Sequence, residues 1–303
     1  MIEHRISVAA LPERIFSIYE DVPNWHTWDT DTKSVEEIGR KLGSDPNMSR
    51  SRRTLGVPID TVSHPKASTA LYSAEFFALQ LRFAARVAEL SGLPFTETVG
   101  SYTNIYVRLG MGQQLDHANP DWLEYVSALA TARDPAAWTH EIHSQRAHLP
   151  TGPKMVASVG CFSYAHLGRC RVRLHFHAGS QVSEAPLSAA NGSLRRQELT
   201  TLMSKAAALG GDVHVVGASW LYNLRSYRRL FPESYLSSLK PVDHPYQRMP
   251  LWGQFLNRDR TVRADAAQYF NAHADKAVSL AELSSCFPYQ VLATSVPAMW
   301  LLS

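Results

Sequence analysis

Between Arg171 and Pro232 the hydrophobic period of the chain passes from two, to that of a helix, and back to two. Arg171-Val-Arg-Leu-His-Phe-His-Ala178 alternates polar and apolar residues, as a half-buried strand does. Residues Ser193 to Leu209 carry helical spacing and stop at Gly210-Gly211. Val213-His-Val-Val-Gly-Ala218 reads as a second strand. It runs directly into Ser219-Trp-Leu-Tyr-Asn-Leu224, a polar and aromatic turn at the strand's carboxyl end. In open α/β sheets ligands sit at that end, so the turn is a candidate site.

The segments around this core divide the chain. Residues 67–150 read as helical. One helix is expected from Ala67 to Leu90, ended by Ser91-Gly92, and a second over Tyr102–Leu109. A third spans Pro120–Ala132, with Asn119 as cap and Pro120 in the first turn, and a fourth starts at Asp134-Pro135. Residues 151–303 mix strands and helices. Val156–Ala165 and Arg169–Ala178 form an expected hairpin around His166-Leu-Gly168. Pro250–Leu256 and Tyr289–Val296 read as further strands, with a helix over Val262–His273 between them. Residues 34–66, rich in Ser, Arg, Gly, Asp and Pro, read as a linker. The expected fold class is α+β, a helical N-terminal part packed on a C-terminal domain with a mixed β-sheet.

With 303 residues, 45% of them hydrophobic and 19% charged, the chain has enough apolar material for a packed core without metal or disulfide staples. A formal charge of +3, with basic residues spread out apart from Arg50-Ser-Arg-Arg53, argues against nucleic acid as a partner. No run approaches the roughly 18 apolar residues that a membrane span needs, and no signal peptide is visible, so a cytoplasmic protein off the membrane is expected. Cys161, Cys170 and Cys286 have no paired spacing and read as free thiols of a reducing compartment. The expected partner is a small-molecule ligand.

Two resemblances add to this. Glu3-His-Arg-Ile-Ser-Val-Ala-Ala10, Pro12-Glu-Arg-Ile-Phe16 and Val22-Pro-Asn-Trp-His-Thr-Trp28 resemble the opening of a START-like polyketide cyclase/dehydrase domain. Only residues 1–33 match, and the strands that should follow are replaced by the Ser/Arg-rich stretch, so the family's function does not come with the segment. Residues 172–236 resemble a GNAT-like acyltransferase domain through Leu174-His-Phe-His-Ala-Gly179, Pro186-Leu-Ser188 and Ser219-Trp-Leu221. That resemblance implies acyl transfer to a small amine or hydroxyl, with acetyl-CoA or another acyl-CoA as donor. The glycine-rich pyrophosphate loop of typical acetyltransferases is not visible.

The chemistry-bearing residues cluster accordingly. Ser219, Tyr222, His175 and His177 are the expected catalytic groups, and Trp220, Asn223 and Arg225 the expected ligand contacts. Ser219 lacks a G-x-S-x-G elbow, so it is expected to hold substrate or handle a proton rather than attack as a hydrolase nucleophile. His175 and His177 are two apart and share a strand face. With His214 as third ligand they are the basis of a metal-enzyme reading, but without a carboxylate or thiolate the set is incomplete and no bound metal is expected. His140 and His143 flank Glu141 on a helix at a spacing one residue short of a zinc-protease motif. A non-enzymatic small-ligand-binding module is the remaining alternative.

Overall fold

The computed structural model describes residues 71–149, 152–168, 170–177, 186–210, 212–257 and 259–302, which belong to one compact unit. The START-like segment 1–33, the linker 34–66 and the expected helix start at Ala67 lie outside the described residues.

The helical part opens with α1 (Ala74–Ser91), capped by the Ser73 hydroxyl, which accepts from the Phe76 amide, and ended by Gly92 at φ +74°. Only glycine takes that left-handed conformation without strain. Its apolar face, Phe76, Leu79, Phe83 and Val87, is buried. Then come α2 (Phe95–Tyr102) and α3 (Ile105–Arg108) where a single helix over Tyr102–Leu109 was expected. Side chains intercept the backbone at this break. The Thr103 hydroxyl donates to the Val99 carbonyl (2.6 Å) and accepts from the Ile105 amide, while Gln80 Oε1 accepts from the Asn104 amide (2.9 Å). α4 (Pro120–Leu129) and α5 (Pro135–Gln145) begin as their cap residues dictate, on Asn119 and Asp134.

These helices share a core with residues far along the chain. α9 (Met249–Trp252), α10 (Ala264–Ala274) and α11 (Leu280–Ser284) bring Trp252, Phe270 and Phe287 against α1. The Phe83 ring lies 5.1 to 6.2 Å from those of Tyr246, Trp252, Phe270 and Phe287. Pro250–Leu256, expected as a strand, is α9 followed by a 3-10 turn. The Trp252 indole donates to the Tyr246 carbonyl at 2.6 Å and fixes that turn.

His143 of α5 is a structural residue of this core. Its Nδ1 pairs with the Arg108 carbonyl at 3.0 Å and its Nε2 accepts the Tyr72 amide at 3.3 Å, so both nitrogens are used by a neutral ring. Burial is the first cause that lowers its pKa. A group depressed in the folded state is neutral there while the unfolded chain takes up a proton near pH 6.5. Stability is therefore expected to be full above about pH 6.5 and to fall as pH drops toward the folded value. Denaturant midpoints between pH 7.5 and 5 measure this, and His143→Gln should flatten the slope.

The sheet has the order β1-β2-β3-β4-β6-β5: β1 (Ala157–Val159), β2 (Phe162–His166), β3 (Arg171–Phe176), β4 (His214–Ser219), β5 (Lys240–Pro241) and β6 (Leu292–Pro297). All neighbours are antiparallel except β3 and β4, which the crossover α6 (Gly192–Ala207) makes parallel. The sheet is thus mixed, and the helical part packs on it. The expected strand over Val156–Ala165 is broken at Gly160-Cys161 into β1 and β2. Gly160 has φ +54° there, and a Cβ on it would overlap the Glu198 carboxylate. That carboxylate is bound to Arg195 and accepts the Cys161 amide at 3.0 Å, which ties α6 to the hairpin.

Alternation assigns the faces. Val172, Leu174 and Val215 point to a second core with Leu199, Leu202 and Met203 of α6 and with Tyr227, Phe231 and Tyr235, carried by or beside the short helices α7 (Arg225–Arg228) and α8 (Glu233–Leu236). On the other face Ala218 and Met249 join the helical core. Among the described residues no helix is long and apolar enough to cross a membrane.

Candidate functional site

β3 and β4 are hydrogen-bonded over part of their length only. Their register runs Arg171↔His214, Val172↔Val215 and Arg173↔Val216. Beyond it β3 stays paired to β2 as far as Phe176↔Phe162, and β4 stays paired to β6 as far as Ser219↔Leu292. Each strand follows its outer neighbour, and the sheet parts between them at its carboxyl end.

A cavity of about 220 Å³ occupies the gap. Leu174, His175 and Phe176 wall it on the β3 side. Ala218, Ser219 and Trp220 wall it on the β4 side, Tyr222 and Tyr227 lie at its base, and Met249 and Pro250 of α9 cover it. Three buried phenols fill space below the gap. The Tyr222 hydroxyl pairs with that of Tyr235 at 2.5 Å, and Tyr227 interacts with Tyr222 through its own hydroxyl. Burial, the first cause in each case, raises the pKa of all three, which keeps them protonated. A Cβ on Gly217 would stand 2.2 Å from both the Tyr222 and the Tyr235 oxygen, so only glycine lets the pair pass beneath β4.

The expected site residues divide. His175, Ser219, Trp220 and Tyr222 line the gap together. His175 Nε2 is buried and has no hydrogen-bond partner among the described residues. Burial, with Arg173 and His177 as lesser causes, depresses the His175 pKa to about 4, so the ring is neutral at physiological pH. Ser219 uses its oxygen to accept the Leu221 amide at 3.1 Å and still holds a hydroxyl proton. The Tyr222 hydroxyl is spent in the core, so its ring face, not its proton, meets the gap.

The other three do not line the gap. His177 is exposed beyond the end of β3. Asn223 spends its amide on the Trp220 and Gln290 carbonyls, both at 2.7 Å, and so secures the turn. Arg225 is exposed on α7. His214 pairs with Arg171 at the far end of β3, about 13 Å of strand from His175. Among the described residues no group of three or more His, Cys, Asp or Glu is placed to hold a metal.

Tyr227, Met249 and Pro250 were not anticipated as site residues. Tyr227 shares a four-residue spacing with Phe231 and Tyr235, which marks an aromatic face, but nothing in the spacing says that the face borders an opening. A second cavity of about 210 Å³ lies at the start of α6, lined by Gly192, Ser193, Arg196 and Arg229. Arg229 is anchored there on the Leu187 and Ser188 carbonyls. Helix amides and two guanidiniums make this end of α6 suited to an anion.

Compared with known protein families, with curated proteins and with solved structures, the chain matches none of them.

Proposed function

We propose that the protein transfers an acyl group from a thioester to a small amine or hydroxyl. The observation that carries this reading is the parting of β3 from β4 after Arg173 and Val216. It leaves a slot with backbone edges on two sides, walls that are part polar and part apolar, and one buried imidazole nitrogen without a partner among the described residues. An extended pantetheine-like arm can lie against such an edge as an added strand would. The anion-suited start of α6, which follows β3 in the chain, supports phosphates as the distal part of the donor. An acyl thioester supplies the activated carbonyl.

The chain's own groups have definite tasks in this reading. His175 Nε2 accepts the proton shed by the acceptor as its nitrogen or oxygen bonds to the carbonyl carbon. The sulfur takes its proton from solvent as the carbon–sulfur bond breaks, since Tyr227, like Tyr222, is fully buried and spends its hydroxyl in the core. Trp220, stacked on Tyr289 at 5.5 Å, and Met249 keep water out. Ser219 orients the acceptor. The unpaired Cys161, Cys170 and Cys286 support a reducing, cytoplasmic setting.

Calorimetric titration with coenzyme A and acetyl-CoA, followed by a thiol-release assay, tests the proposal. Binding to the wild type is expected, with His175→Ala lowering turnover about 10²-fold or more while donor affinity holds. Because His175 titrates near 4, turnover is expected to lack an inflection near pH 6.5. Absence of donor binding overturns the reading. Binding of the thioester without turnover of any acceptor favours the binding-module alternative.

A further inference from the structure

We propose that Met249 limits the length of the acyl group, so that the slot takes acetyl to butanoyl thioesters and turns longer ones away. This rests on the acyl-transfer reading and names its donor class.

Strand alternation sorts the walls of the slot. Leu174 and Phe176 of β3 face the core built on α6, and His175 between them faces the other way. On β4, Val215 faces the α6 core, whereas Ala218 packs on the helical core, as Met249 does. His175, Ala218 and Met249 thus lie on one side of the sheet and line the slot there together with Pro250. On the opposite side the buried rings of Tyr222 and Tyr227 fill the space. An acyl carbonyl attacked by an acceptor that gives its proton to His175 Nε2 lies close to that nitrogen. Its chain then runs between the Ala218 methyl and the Met249 side chain, both uncharged and apolar.

There is little room beyond the carbonyl. The cavity of about 220 Å³ is smaller than the roughly 300–1,000 Å³ of sites that enclose a drug-sized molecule. The thioester and the attacking group share it, so only a few chain carbons fit before the tail meets Met249.

Methionine is usually a yielding wall, because its unbranched side chain turns freely. This one is held at its backbone and at its tip. Beside it, the fully buried Trp252 donates its indole N–H to the Tyr246 carbonyl, and Gln247 donates to the Gly100 carbonyl at 3.2 Å, which fixes α9 and the turn before it. At the tip, Asn104 Nδ2 donates to the Met249 sulfur at 3.3 Å. Asn104 is itself buried, and its backbone amide donates to Gln80 Oε1 at 2.9 Å. Asn104 is therefore a positioning residue, which acts on the slot through the sulfur.

The experiment needs no acceptor. Affinities of the full chain for coenzyme A and for its acetyl, butanoyl, hexanoyl and octanoyl thioesters are measured by calorimetry. Coenzyme A is the reference for everything but the acyl group. The acetyl and butanoyl thioesters should bind at least as tightly as coenzyme A, and the octanoyl thioester about tenfold more weakly. Met249→Ala removes the end of the wall, and each methylene that gains cover should add roughly fourfold in affinity. The octanoyl thioester should then recover about tenfold, while coenzyme A and the acetyl thioester stay within about threefold. Asn104→Ala keeps Met249 but frees its tip, and should shift the length preference the same way by about threefold. Loss of structure alone would weaken every ligand together and leave that preference as it was. Ala218→Val adds bulk at a strand position that suits a β-branched residue, and guards against a Met249 variant that fails to fold. It should weaken the butanoyl thioester about tenfold and spare the acetyl one. An octanoyl thioester that binds the wild type as tightly as the butanoyl one overturns the proposal. So does a length preference that Met249→Ala and Ala218→Val leave unchanged. Failure of the wild type to bind coenzyme A at all instead overturns the acyl-transfer reading, and this proposal with it.

Discussion

Replacing Gly217 by alanine is expected to cost about 3 kcal/mol or more of folding stability. The added Cβ would stand 2.2 Å from two phenol oxygens, each at the tip of a fully buried ring that cannot swing aside. The remedy is specific. The nearest ring carbon, Tyr222 Cζ, is 3.2 Å away, a contact that small shifts relieve. Tyr222→Phe and Tyr235→Phe remove both offending oxygens. Each alone in the wild-type background should cost about 1–3 kcal/mol, because it strands the partner hydroxyl in the core. In the alanine background the pair should recover a large part of the loss. Denaturant melts of the five proteins decide it, and additive effects would show that the clash is not the cause.

Glu198→Ala is expected to cost about 3–5 kcal/mol. The carboxylate is the partner of Arg195, whose side chain is 2% exposed, and it also accepts the Cys161 amide at 3.0 Å. Removing it leaves a buried guanidinium with, among the described residues, only the Cys161 sulfur at 2.6 Å, together with an unpaired amide at the hairpin turn. The double variant Arg195→Met, Glu198→Leu should be far milder, since apolar side chains of similar volume leave no buried charge behind. Equal losses in the single and double variants, by chemical denaturation, would contradict this account.

Much of the central fold was legible because periodicity and punctuation agreed. The β2–β3 hairpin, α6 and β4 all have the right period, flanked by Gly168 or Gly210. The run Pro250–Leu256 misled because a short apolar stretch has no period to distinguish strand from helix, and the core contacts of Trp252 and Phe255 decided it. β5 is two exposed residues and leaves no trace in the pattern.

The site shows the same limit. The turn after β4 marked the place, because Ser219 and Trp220 follow a strand with small residues at its end. His175 was visible as part of a polar strand face. What separates His175, in the slot, from His177, in solvent, is where β3 ends, and Asn223 and Arg225 were misplaced for a similar reason. Polar side chains in a turn read alike whether they face a ligand or brace the turn itself. The partial register of β3 with β4 is a tertiary fact, set by which residues wedge between two strands whose own sequences look continuous.

The topology also sets the order in which the molecule can assemble. β4 is an inner strand, yet its partner β6 arrives only after all of the short helices between them. Until then β4 presents an unpaired, apolar edge, the kind of surface on which chains recruit one another. Closing so long a loop is slow compared with forming the hairpin or α6. Refolding is therefore expected to pass through a species with β1 to β4 formed and the helical core half built. Its yield should fall steeply with protein concentration, and aggregation during refolding, rather than instability of the finished fold, would limit recovery.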